Sequence, residues 1–545
     1  MRSRIVELFS TDGFHETLER AIGEVAEPFL VVDRGGVAGL IMGPPAAASL
    51  EDLERLIAFV PACRLEQLGD PSFREAHGTR FACMAGAMAN GIGSVEVVEA
   101  MGRRGMLGIF GAAGLPVEAV ERAIDRIDRG PGDRFPFGFN LIHSPQESAH
   151  EAAIVDLYLR RGIRLVEASA FLDLTLPLVR FRVTGIRRDS QGKIVAPNRI
   201  IAKVSRVEVA GKFLAPPPER LLRELLQRGE ISPEQAGWAA RIPLAEDLTA
   251  EADSGGHTDN QPAIVLLPTM LALRDRLQAQ HAYDRPLRVG AAGGISTPWS
   301  AAAALAMGAS YLVTGSVNQS CVEAGTSPQV RQMLAQAQQA DIAMAPAADM
   351  FEMGVKVQVL KRGTMFAMRA AKLYDLYRNH DSLEQIPGPD RRMLEKTLFR
   401  APLEEIWEQT RSYFSRRDPA QIERGERDPK HKMALVFRWY LGQSSHWANV
   451  GEPARSVDYQ IWCGPAMAAF NDWVRGSFLE QPENRRVVTV ALNILFGAAV
   501  LTRARMLRAQ GVTLAPGMPR LAPLDRGDIE KRSQTSYHSE PCANR

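Results

Sequence analysis

The sequence predicts an α/β protein built around a (β/α)8 barrel, and two patterns support this fold. Between about Arg80 and Gln319, short apolar runs that end in Gly, Ser or Asn alternate with longer segments of helical periodicity, which is typical of βα units on a parallel sheet. Eight such runs fit in this length, the number that closes a (β/α)8 barrel, whose ligand sites lie at the carboxyl ends of the strands. The predicted strands are RFACMAG, GMLGIFGAAG, FGFNLIHS, IRLVEASAF, RIIAKVS, LTAEADSGGH, LRVGAAGG and YLVTGS.

The segments between these runs supply the crossover helices. Four are clear in the sequence: VEVVEAMGRRG, PVEAVERAIDRI, ESAHEAAIVDLYLRRG and STPWSAAAALAMGA. The unit before the fifth strand is irregular, because RFRVTGIRRDSQGKIVAPNRIIAKVS contains a polar hairpin with Asp-Ser-Gln-Gly at its tip. An open, doubly wound parallel sheet is the alternative arrangement of the same units.

The regions on either side of the barrel have different patterns. The segment PFLVVDRGGVAGLIMGPP predicts two short strands around Gly35 and Gly36, whereas strand signals stop after about Ala345 and five of the seven Trp follow in a helical region. The stretch Val487 to Leu501 is too short for a membrane span and indicates a buried helix. We therefore expect an N-terminal subdomain over 1–65, the barrel over 66–345, a helical domain over 346–510 and a Pro-rich, disordered tail over 511–545.

Composition and charge exclude several classes of protein. The 545 residues include 65 Lys and Arg against 63 Asp and Glu, so no global field exists to hold a nucleic acid. The five cysteines are far apart and lack CxxC spacing, which argues against disulfides and against a zinc site, and favours a reducing, cytoplasmic setting. The N-terminus lacks the features of a signal peptide. Rossmann, Walker, nucleophile-elbow and HExxH motifs are also missing from the sequence.

The strongest local signal is a pair of glycine turns after the last two predicted strands. Gly293 and Gly294 end the seventh strand and open a helix, while Gly315 and Ser316 follow the eighth. Bare backbone N–H groups and a helix dipole can converge on an anion at such turns, and barrels of this type bind phosphate in these loops. We therefore predict a phosphate site there; the simpler interpretation is that the glycines only permit tight turns.

A histidine at the end of the sixth predicted strand is the candidate catalytic residue. His257 follows Gly255 and Gly256 in the sequence EADSGGHTDN. On a glycine-rich loop at the barrel mouth, an imidazole can reach a bound ligand and serve as a general acid or hydrogen-bond donor. The alternative is a histidine that serves only the structure.

Three further strand ends supply candidates for ligand binding. Asn140 offers an amide to a heterocycle, and Lys203 supplies a positive charge that needs an anionic partner. Met84, Ala85 and Gly86 close the first strand with small and thioether side chains against which a flat ring can pack. Each candidate also has a purely structural alternative. Asn140 would cap a turn, Lys203 would form an internal salt bridge, and Met84 to Gly86 would be ordinary apolar filling of the barrel.

Taken in order, these motifs resemble a known family. MAGAMANG, FGFNLIH, AKVSR, EADSGGHTDN, VGAAGGI and VTGSVNQ are similar to blocks of the FMN-dependent nitronate monooxygenase and enoyl reductase barrels. The blocks GTMFAMRAAKLYDLY, KMALVFRWYLG and DYQIWCGPAMAAFNDWV resemble the helical region of PfaD-type trans-acting enoyl reductases, which serve polyunsaturated fatty acid and polyketide synthases. The resemblance extends over most of residues 1–510.

The resemblance implies a cofactor, a reaction and partners. It implies FMN with its phosphate on the two glycine turns and its ring over Met84 to Gly86 near Asn140 and Lys203, with Gly255 and Gly256 beside it. NADPH or NADH is the expected hydride donor, and a 2-enoyl thioester on an acyl carrier protein the expected substrate, with His257 as proton donor and a bound water as its rival. From the charge and motifs described above, no metal, nucleic acid or membrane is expected. A homodimer is the suggested assembly. Candidate contacts to the acidic carrier are Lys361, Arg362, Arg369 and Lys372.

Two other functions fit the same residues. A nitronate monooxygenase would use the same barrel and loop histidine to oxidise a small nitronate with O₂. A docking component of a synthase would keep the barrel without turnover, although the intact Gly293, Gly294 and His257 argue against such decay.

Overall fold

The computed structural model describes residues 5–6, 11–127, 134–143, 145 and 147–534. The first elements are β1 (Ile5–Val6), α1 (Thr11–Gly23), β2 (Phe29–Asp33), β3 (Ala38–Met42), α2 (Leu50–Glu54) and β4 (Leu56–Val60). The four strands form an antiparallel sheet in the order β1-β3-β2-β4, on which helix α1 packs. Both predicted strands around Gly35 and Gly36 are present, and one more strand lies on either side of them.

The predicted barrel is confirmed, and the alternative of an open sheet is wrong. Eight parallel strands close on themselves, because the first strand of the barrel pairs with both the second and the last. Most of their residues are buried, as expected for strands covered on both faces. In chain order the strands are β5 (Cys83–Ala85), β6 (Leu107–Phe110), β7 (Phe137–Ile142), β8 (Leu165–Ser169), β11 (Arg199–Val204), β12 (Asp247–Glu251), β13 (Arg288–Ala292) and β14 (Leu312–Thr314).

Helices surround the barrel, and the four predicted crossovers are among them. The polar hairpin predicted before the fifth barrel strand is also present, as strands β9 (Arg187–Arg188) and β10 (Ile194–Val195). The helices are α3 (Pro71–His77), α4 (Val95–Gly102), α5 (Val117–Ile127), α6 (Ser148–Arg160), α7 (Leu176–Val183), α8 (Val207–Leu214), α9 (Glu219–Gln227), α10 (Pro233–Ala239), α11 (Ala263–His281), α12 (Pro298–Ala306), α13 (Ser316–Gln319) and α14 (Pro328–Ala335).

Beyond the barrel the chain is mainly helical, but the strand signals do not stop at Ala345 as predicted. An antiparallel hairpin of β15 (Ile342–Pro346) and β16 (Lys356–Leu360) comes first, and Leu360 continues its pairing by donating its N–H to the carbonyl of Ile461. The helices that follow are α15 (Phe366–Asn379), α16 (Gly388–Met393), α17 (Leu403–Arg417), α18 (Pro419–Arg427), α19 (Pro429–Val450), α20 (Pro465–Val474), α21 (Val487–Ala509) and α22 (Arg526–Ser533).

The C-terminal region packs as two units rather than as the single helical domain expected over 346–510. The hairpin and α15–α19 share one apolar core, whereas α20 and α21 join the core of the barrel and the N-terminal sheet. Helix α21 lies along α12, and its buried Arg503 donates hydrogen bonds to the carbonyls of Ala21, Glu27 and Pro61. This helix is long and apolar enough to span a membrane, but 83% of its most apolar window is buried inside the protein.

The expected disorder of the tail is wrong for residues 511–534. Trp473 donates its indole N–H to the carbonyl of Leu521 at 2.6 Å, and Asn493 both donates to and accepts from the backbone of Leu524. Ile529 of α22 is buried. A few apolar anchors and paired backbone groups therefore hold a polar, Pro-rich segment on the surface of α21. The rest of the predicted tail, 535–545, lies outside the described residues.

Candidate functional site

A cavity of about 730 Å³ lies at the carboxyl ends of the barrel strands. Its inner wall comes from the loops that follow the strands, and its outer wall comes from helices α17 and α19 and from the loop before α20. The first of these walls is where (β/α)8 barrels bind their ligands. The second wall lies over the first, so the cavity is situated between the barrel and the C-terminal helices. Side chains contributed by this cover include Phe414, Leu435, Trp439, Leu441, Val450 and Trp462.

The two predicted glycine turns lie side by side on the cavity wall. Gly293 and Gly294 both have positive φ, at +80° and +76°. A Cβ on Gly293 would lie 2.6 Å from the backbone carbon of Ala252, whereas one on Gly294 or Gly315 would meet no protein atom within 4 Å. Close packing against Ala252 therefore requires a glycine at position 293. Gly294 and Gly315, in contrast, leave open space beside their backbone groups. Thr297 caps helix α12 by accepting the N–H of Ser300.

Lys203 lies between two carboxylates at the bottom of the cavity. Its Nζ is 3.5 Å from Glu251 Oε1 and 3.8 Å from Glu167 Oε2. Burial by itself would lower the pKa of the Lys203 ammonium, but the two carboxylates raise it above its usual range. Burial raises the pKa of the Glu167 carboxyl, which Lys203 and the Ala87 N–H partly offset. Glu167 Oε1 is buried without a hydrogen-bond partner, so this cluster carries unused hydrogen-bonding capacity.

Asn140 reaches the cavity from the end of β7, as predicted. Its amide Nδ2 donates to the carbonyl of Glu167 at 3.0 Å and to Ser169 Oγ at 2.6 Å. Tyr158 donates its hydroxyl to the Asn140 carbonyl at 2.7 Å. These bonds fix the amide group, so that its Oδ1 is the atom left to accept from a ligand.

His257 also lies on the cavity wall, and it is paired with an aspartate. Its Nε2 is 3.0 Å from Asp349 Oδ1, and its ring centroid is 6.2 Å from that of Trp462. Burial alone would lower the pKa of the imidazole, but Asp349 raises it above its usual range. The same contact lowers the pKa of the Asp349 carboxyl against the effect of burial. The pair therefore favours a protonated imidazole beside an ionised carboxylate.

The structure does not bring Met84, Ala85 and Gly86 to the cavity wall. Met84 lies in the interior core of the barrel, and a Cβ on Gly86 would lie 2.7 Å from Val313 Cγ1. The wall at this position is formed instead by the next four residues, Ala87 to Asn90. The apolar pattern predicted strand β5 correctly, but it could not locate the point at which the strand leaves the barrel. The remaining predicted site residues, Asn140, Lys203, Gly255, Gly256, His257, Gly293, Gly294, Gly315 and Ser316, all line the cavity.

Sequence reasoning missed the acidic residues of the site. Glu167 interrupts the apolar run of β8, and Glu251 is a buried carboxylate at the end of β12. Both positions were a signal that could have found them, because a charge on a buried barrel strand needs a partner. Asp349 had no such signal, since it lies in the turn of a hairpin that the sequence did not predict.

The cover also contributes an ionic link to the barrel. Arg417 Nε is 2.7 Å from Glu147 Oε2, and Arg438 is 3.5 Å from the other oxygen of the same carboxylate. Glu147 precedes α6 of the barrel, while the arginines lie on α17 and α19. This shared carboxylate joins the two walls of the cavity.

The four basic residues named as carrier contacts are not equivalent. Arg369 pairs with the buried Asp458 and therefore serves the interior of the helical unit. Arg362 is 3.5 Å from Asp341 and Lys372 is 2.9 Å from Asp390, so both have an acidic partner within the chain. Lys361 is exposed.

Fold and site together define a (β/α)8 barrel with a covered ligand cavity at its carboxyl end. Residues 71–376 match the nitronate monooxygenase family, and residues 380–459 match the inserted helical domain of [acyl-carrier-protein] S-malonyltransferase. The chain belongs to the nitronate monooxygenase family, and it is similar to proteins of polyketide and polyunsaturated fatty acid synthases and to an enoyl reductase domain.

Three similar proteins illustrate this placement. A polyunsaturated fatty acid synthase polypeptide of Thraustochytrium sp. is 50% identical over 456 residues, which cover 82% of this chain and 30% of that protein. Polyketide biosynthesis protein PksE of Bacillus subtilis is 43% identical over 463 residues, covering 85% of this chain and 60% of that protein. The crystal structure of the enoyl reductase domain of MlnA, from the macrolactin cluster of Bacillus amyloliquefaciens, is 40% identical with a TM-score of 0.77 and covers 81% of this chain and 99% of that one. The chain thus spans less than two thirds of the length of the first two.

Proposed function

We propose that this chain is an FMN-dependent, trans-acting enoyl reductase that reduces the 2,3 double bond of enoyl thioesters carried on acyl carrier protein, with NADPH or NADH as reductant. The observation that carries the proposal is that one covered cavity contains two glycine turns, Lys203 and His257 at neighbouring strand ends. The 40% identity to a chain described as an enoyl reductase domain supports the choice of reaction.

The residues of the cavity fit FMN. Space for a phosphate exists beside Gly294 and Gly315, where an added Cβ would meet no protein atom within 4 Å. Their backbone N–H groups would supply the donors that an anion needs. Lys203 and the Oδ1 of Asn140 would meet the polar edge of the ring. When bound there, FMN would supply the hydride chemistry that links a nicotinamide to the β-carbon of the enoyl thioester.

His257 and Lys203 then have distinct tasks. Addition of a hydride to the β-carbon places negative charge on the thioester enolate, and protonated His257 stabilises that charge and delivers a proton to the α-carbon. Lys203 keeps its ammonium close to the cofactor, because two carboxylates hold it there. The positive charge favours an electron-rich ring.

The cover supplies the environment for the acyl chain. Phe414, Leu435, Trp439 and Leu441 present apolar surface to the cavity from α17 and α19. Such surface binds a hydrocarbon chain by removing it from water and excludes solvent from the reacting carbons. The likeness of residues 380–459 to a helical domain of an acyl-carrier-protein transferase supports a role of this cover near the carrier.

The test combines cofactor binding with substrate-dependent oxidation of NADPH. Protein reconstituted with FMN is expected to show a flavin absorbance spectrum and to oxidise NADPH steadily only when an enoyl thioester such as crotonyl-pantetheine is added. Protein that stays colourless after reconstitution, or that oxidises NADPH equally fast without the thioester, would contradict the proposal.

A nitronate monooxygenase is the second candidate, because the family match covers residues 71–376. Oxygen-dependent consumption of a small nitronate that is faster than reduction of the enoyl thioester would favour it. A protein that binds FMN but turns over neither substrate would instead be a docking component of a synthase.

The reducing, cytoplasmic setting remains a proposal. It is supported by Cys63, Cys83, Cys321 and Cys463, the described cysteines, which are all free.

A further inference from the structure

The catalytic histidine and its aspartate come from different parts of the chain. His257 lies on the loop after barrel strand β12, whereas Asp349 lies in the turn between β15 and β16, 92 residues further on. That turn is held in place on both sides, because Ala347 donates its N–H to the carbonyl of Val355 at 2.9 Å and the Phe351 side chain is buried. The aspartate is therefore presented to the barrel by a fixed hairpin.

The hairpin is itself anchored to the loop that carries His257. The side-chain amide of Gln358, on β16, donates hydrogen bonds to Asp253 and, at 3.2 Å, to Asn260. These two residues lie in the same loop as His257, one before it and one after it. Cys463 donates its backbone N–H to the Gln358 carbonyl at 3.2 Å. The distance between Asp349 and His257 is therefore set by a hydrogen-bonded junction and not by two free loops.

We propose that Asp349 is a positioning residue that keeps a proton on His257 and turns the other ring nitrogen toward the substrate. The inference rests on the proposed reductase function, because it assigns a role in that reaction. An ionised carboxylate can only accept a hydrogen bond, so the contact at 3.0 Å requires a proton on Nε2 of His257. Nδ1 is then the nitrogen left to donate to the substrate, and it can donate only from the doubly protonated imidazole.

The charges around His257 support this state. Asp349 faces the ring from the hairpin and Glu251 from the end of β12, both favouring the protonated form, while Lys203 from β11 opposes it. Trp462, from the loop before α20, adds an aromatic ring and no charge. Two carboxylates thus outweigh one ammonium at this position.

The proposed step balances in atoms and charge. A hydride, supplied by NADPH through FMN, forms the new C–H bond at the β-carbon, and the electron pair of the double bond moves to the α-carbon and thioester carbonyl. The Nδ1–H bond of His257 breaks as the proton moves to the α-carbon. Neutral His257, still hydrogen-bonded to Asp349, then regains a proton from water.

The experiment compares wild type with Asp349→Asn, which keeps the size of the side chain but removes its charge. The pKa of His257 is measured by NMR with ¹³C-labelled histidine, the signal being assigned by its absence in His257→Gln. Reoxidation of the reduced holoenzyme by crotonyl-pantetheine is followed from pH 5.5 to 9. We expect the His257 pKa to fall in Asp349→Asn, and reoxidation above both pKa values to slow about tenfold per pKa unit. The difference in reoxidation rate between wild type and Asp349→Asn should vanish at the acidic end of this pH range, where His257 is protonated in both.

Asp341→Asn is the matched control, since Asp341 lies at the start of the same hairpin and pairs with the exposed Arg362. Asp341→Asn should leave both the His257 pKa and the pH dependence of reoxidation unchanged. Asp349→Glu, which keeps the charge, should recover part of the reoxidation rate that Asp349→Asn loses. An unchanged His257 pKa in Asp349→Asn overturns the inference whatever the enzyme reduces. Failure of wild type to reoxidise with the thioester, together with a shifted pKa, would count against the proposed function and leave the His–Asp pairing in place.

Discussion

The two ends of the barrel treat buried charge in opposite ways. At the amino-terminal end, Arg288 donates two hydrogen bonds to Asp247, at 2.6 and 2.9 Å, and His77 contacts the same carboxylate at 3.0 Å. At the carboxyl-terminal end, Lys203 lies 3.5 and 3.8 Å from two carboxylates. The first cluster satisfies its charges by close geometry, whereas the second leaves them less tightly bonded beside a cavity.

This difference separates stability from function within one barrel. A buried charge with complete hydrogen bonding contributes to a rigid structure, and removal of one partner is costly. Loosely paired charges next to open space can be completed by a ligand, which is why perturbed groups in a cavity indicate a binding site. We therefore expect substitutions at the amino-terminal end to change stability, and those at the carboxyl-terminal end to change cofactor binding and turnover.

The largest effect is expected from Asp247→Ala. It leaves Arg288 buried without its carboxylate and should lower the free energy of unfolding by about 3–5 kcal/mol. Urea denaturation followed by circular dichroism measures this loss, while activity per bound FMN stays near wild type. Asp125→Ala, which removes an exposed partner of Arg161, should change stability by less than about 0.5 kcal/mol. Equal losses in the two variants would remove the distinction between the buried pair and a surface pair.

The same cluster gives a pH dependence with a defined sign. Burial would raise the pKa of the Asp247 carboxyl, but His77 and Arg288 hold it well below its usual range. Its contribution to stability is therefore complete above the unfolded pKa of about 4 and is lost as the pH falls through the lower folded pKa. Urea midpoints measured between pH 2 and 6 should decline toward acid less steeply in Asp247→Ala than in wild type.

His257→Ala is expected to have the next largest effect, at the other end of the barrel. Turnover of the enoyl thioester should fall about 100-fold, because a general acid contributes at least this much to such reactions. FMN content and the urea midpoint should stay close to wild type, since the imidazole lies on the cavity wall. Wild-type turnover in this variant would make water the proton source.

A smaller effect is expected on cofactor retention when Gly294 is replaced. Both Gly294→Ala and Gly294→Leu suffer backbone strain at a φ of +76°, so their difference reports the space beside the turn. We expect FMN to bind about tenfold more weakly to the Leu variant than to the Ala variant, a loss of about 1.4 kcal/mol. Fluorescence titration of the apoprotein with FMN measures it. Gly211→Leu, in an open position of α8 away from the cavity, controls for bulk elsewhere.

The smallest effect is expected on the surface of the helical unit. Arg362→Ala and Lys372→Ala remove cations that already have acidic partners within the chain. Each should change stability by less than about 0.5 kcal/mol and change carrier-protein affinity less than twofold. A large, salt-dependent loss of carrier affinity in either variant would assign that cation to the docking surface.

The sequence predicted most of the barrel because each strand is buried on both faces and is followed by a turn residue. It missed β16, since Lys356-Val-Gln-Val-Leu is short and packs on the helical unit instead of on the barrel. His257 and the glycine turns were found because their position at strand ends is encoded locally. Asp349 was not, because only tertiary packing brings it to the loop of β12. The sequence predicts a ring contact at Met84 to Gly86, whereas the cavity wall lies at the next four residues, because the apolar pattern does not show where a strand stops facing the barrel interior.

The most direct test of the account is a single-turnover experiment on the FMN-loaded protein. The protein is reduced anaerobically with one equivalent of NADPH and then mixed either with crotonyl-pantetheine or with buffer that contains O₂. We predict that the flavin absorbance returns faster with the thioester than with O₂, with formation of one butyryl product per flavin. If the flavin absorbance recovered on mixing with O₂ but not on mixing with crotonyl-pantetheine, and no butyryl product formed, the assignment of this cavity to enoyl reduction would be contradicted.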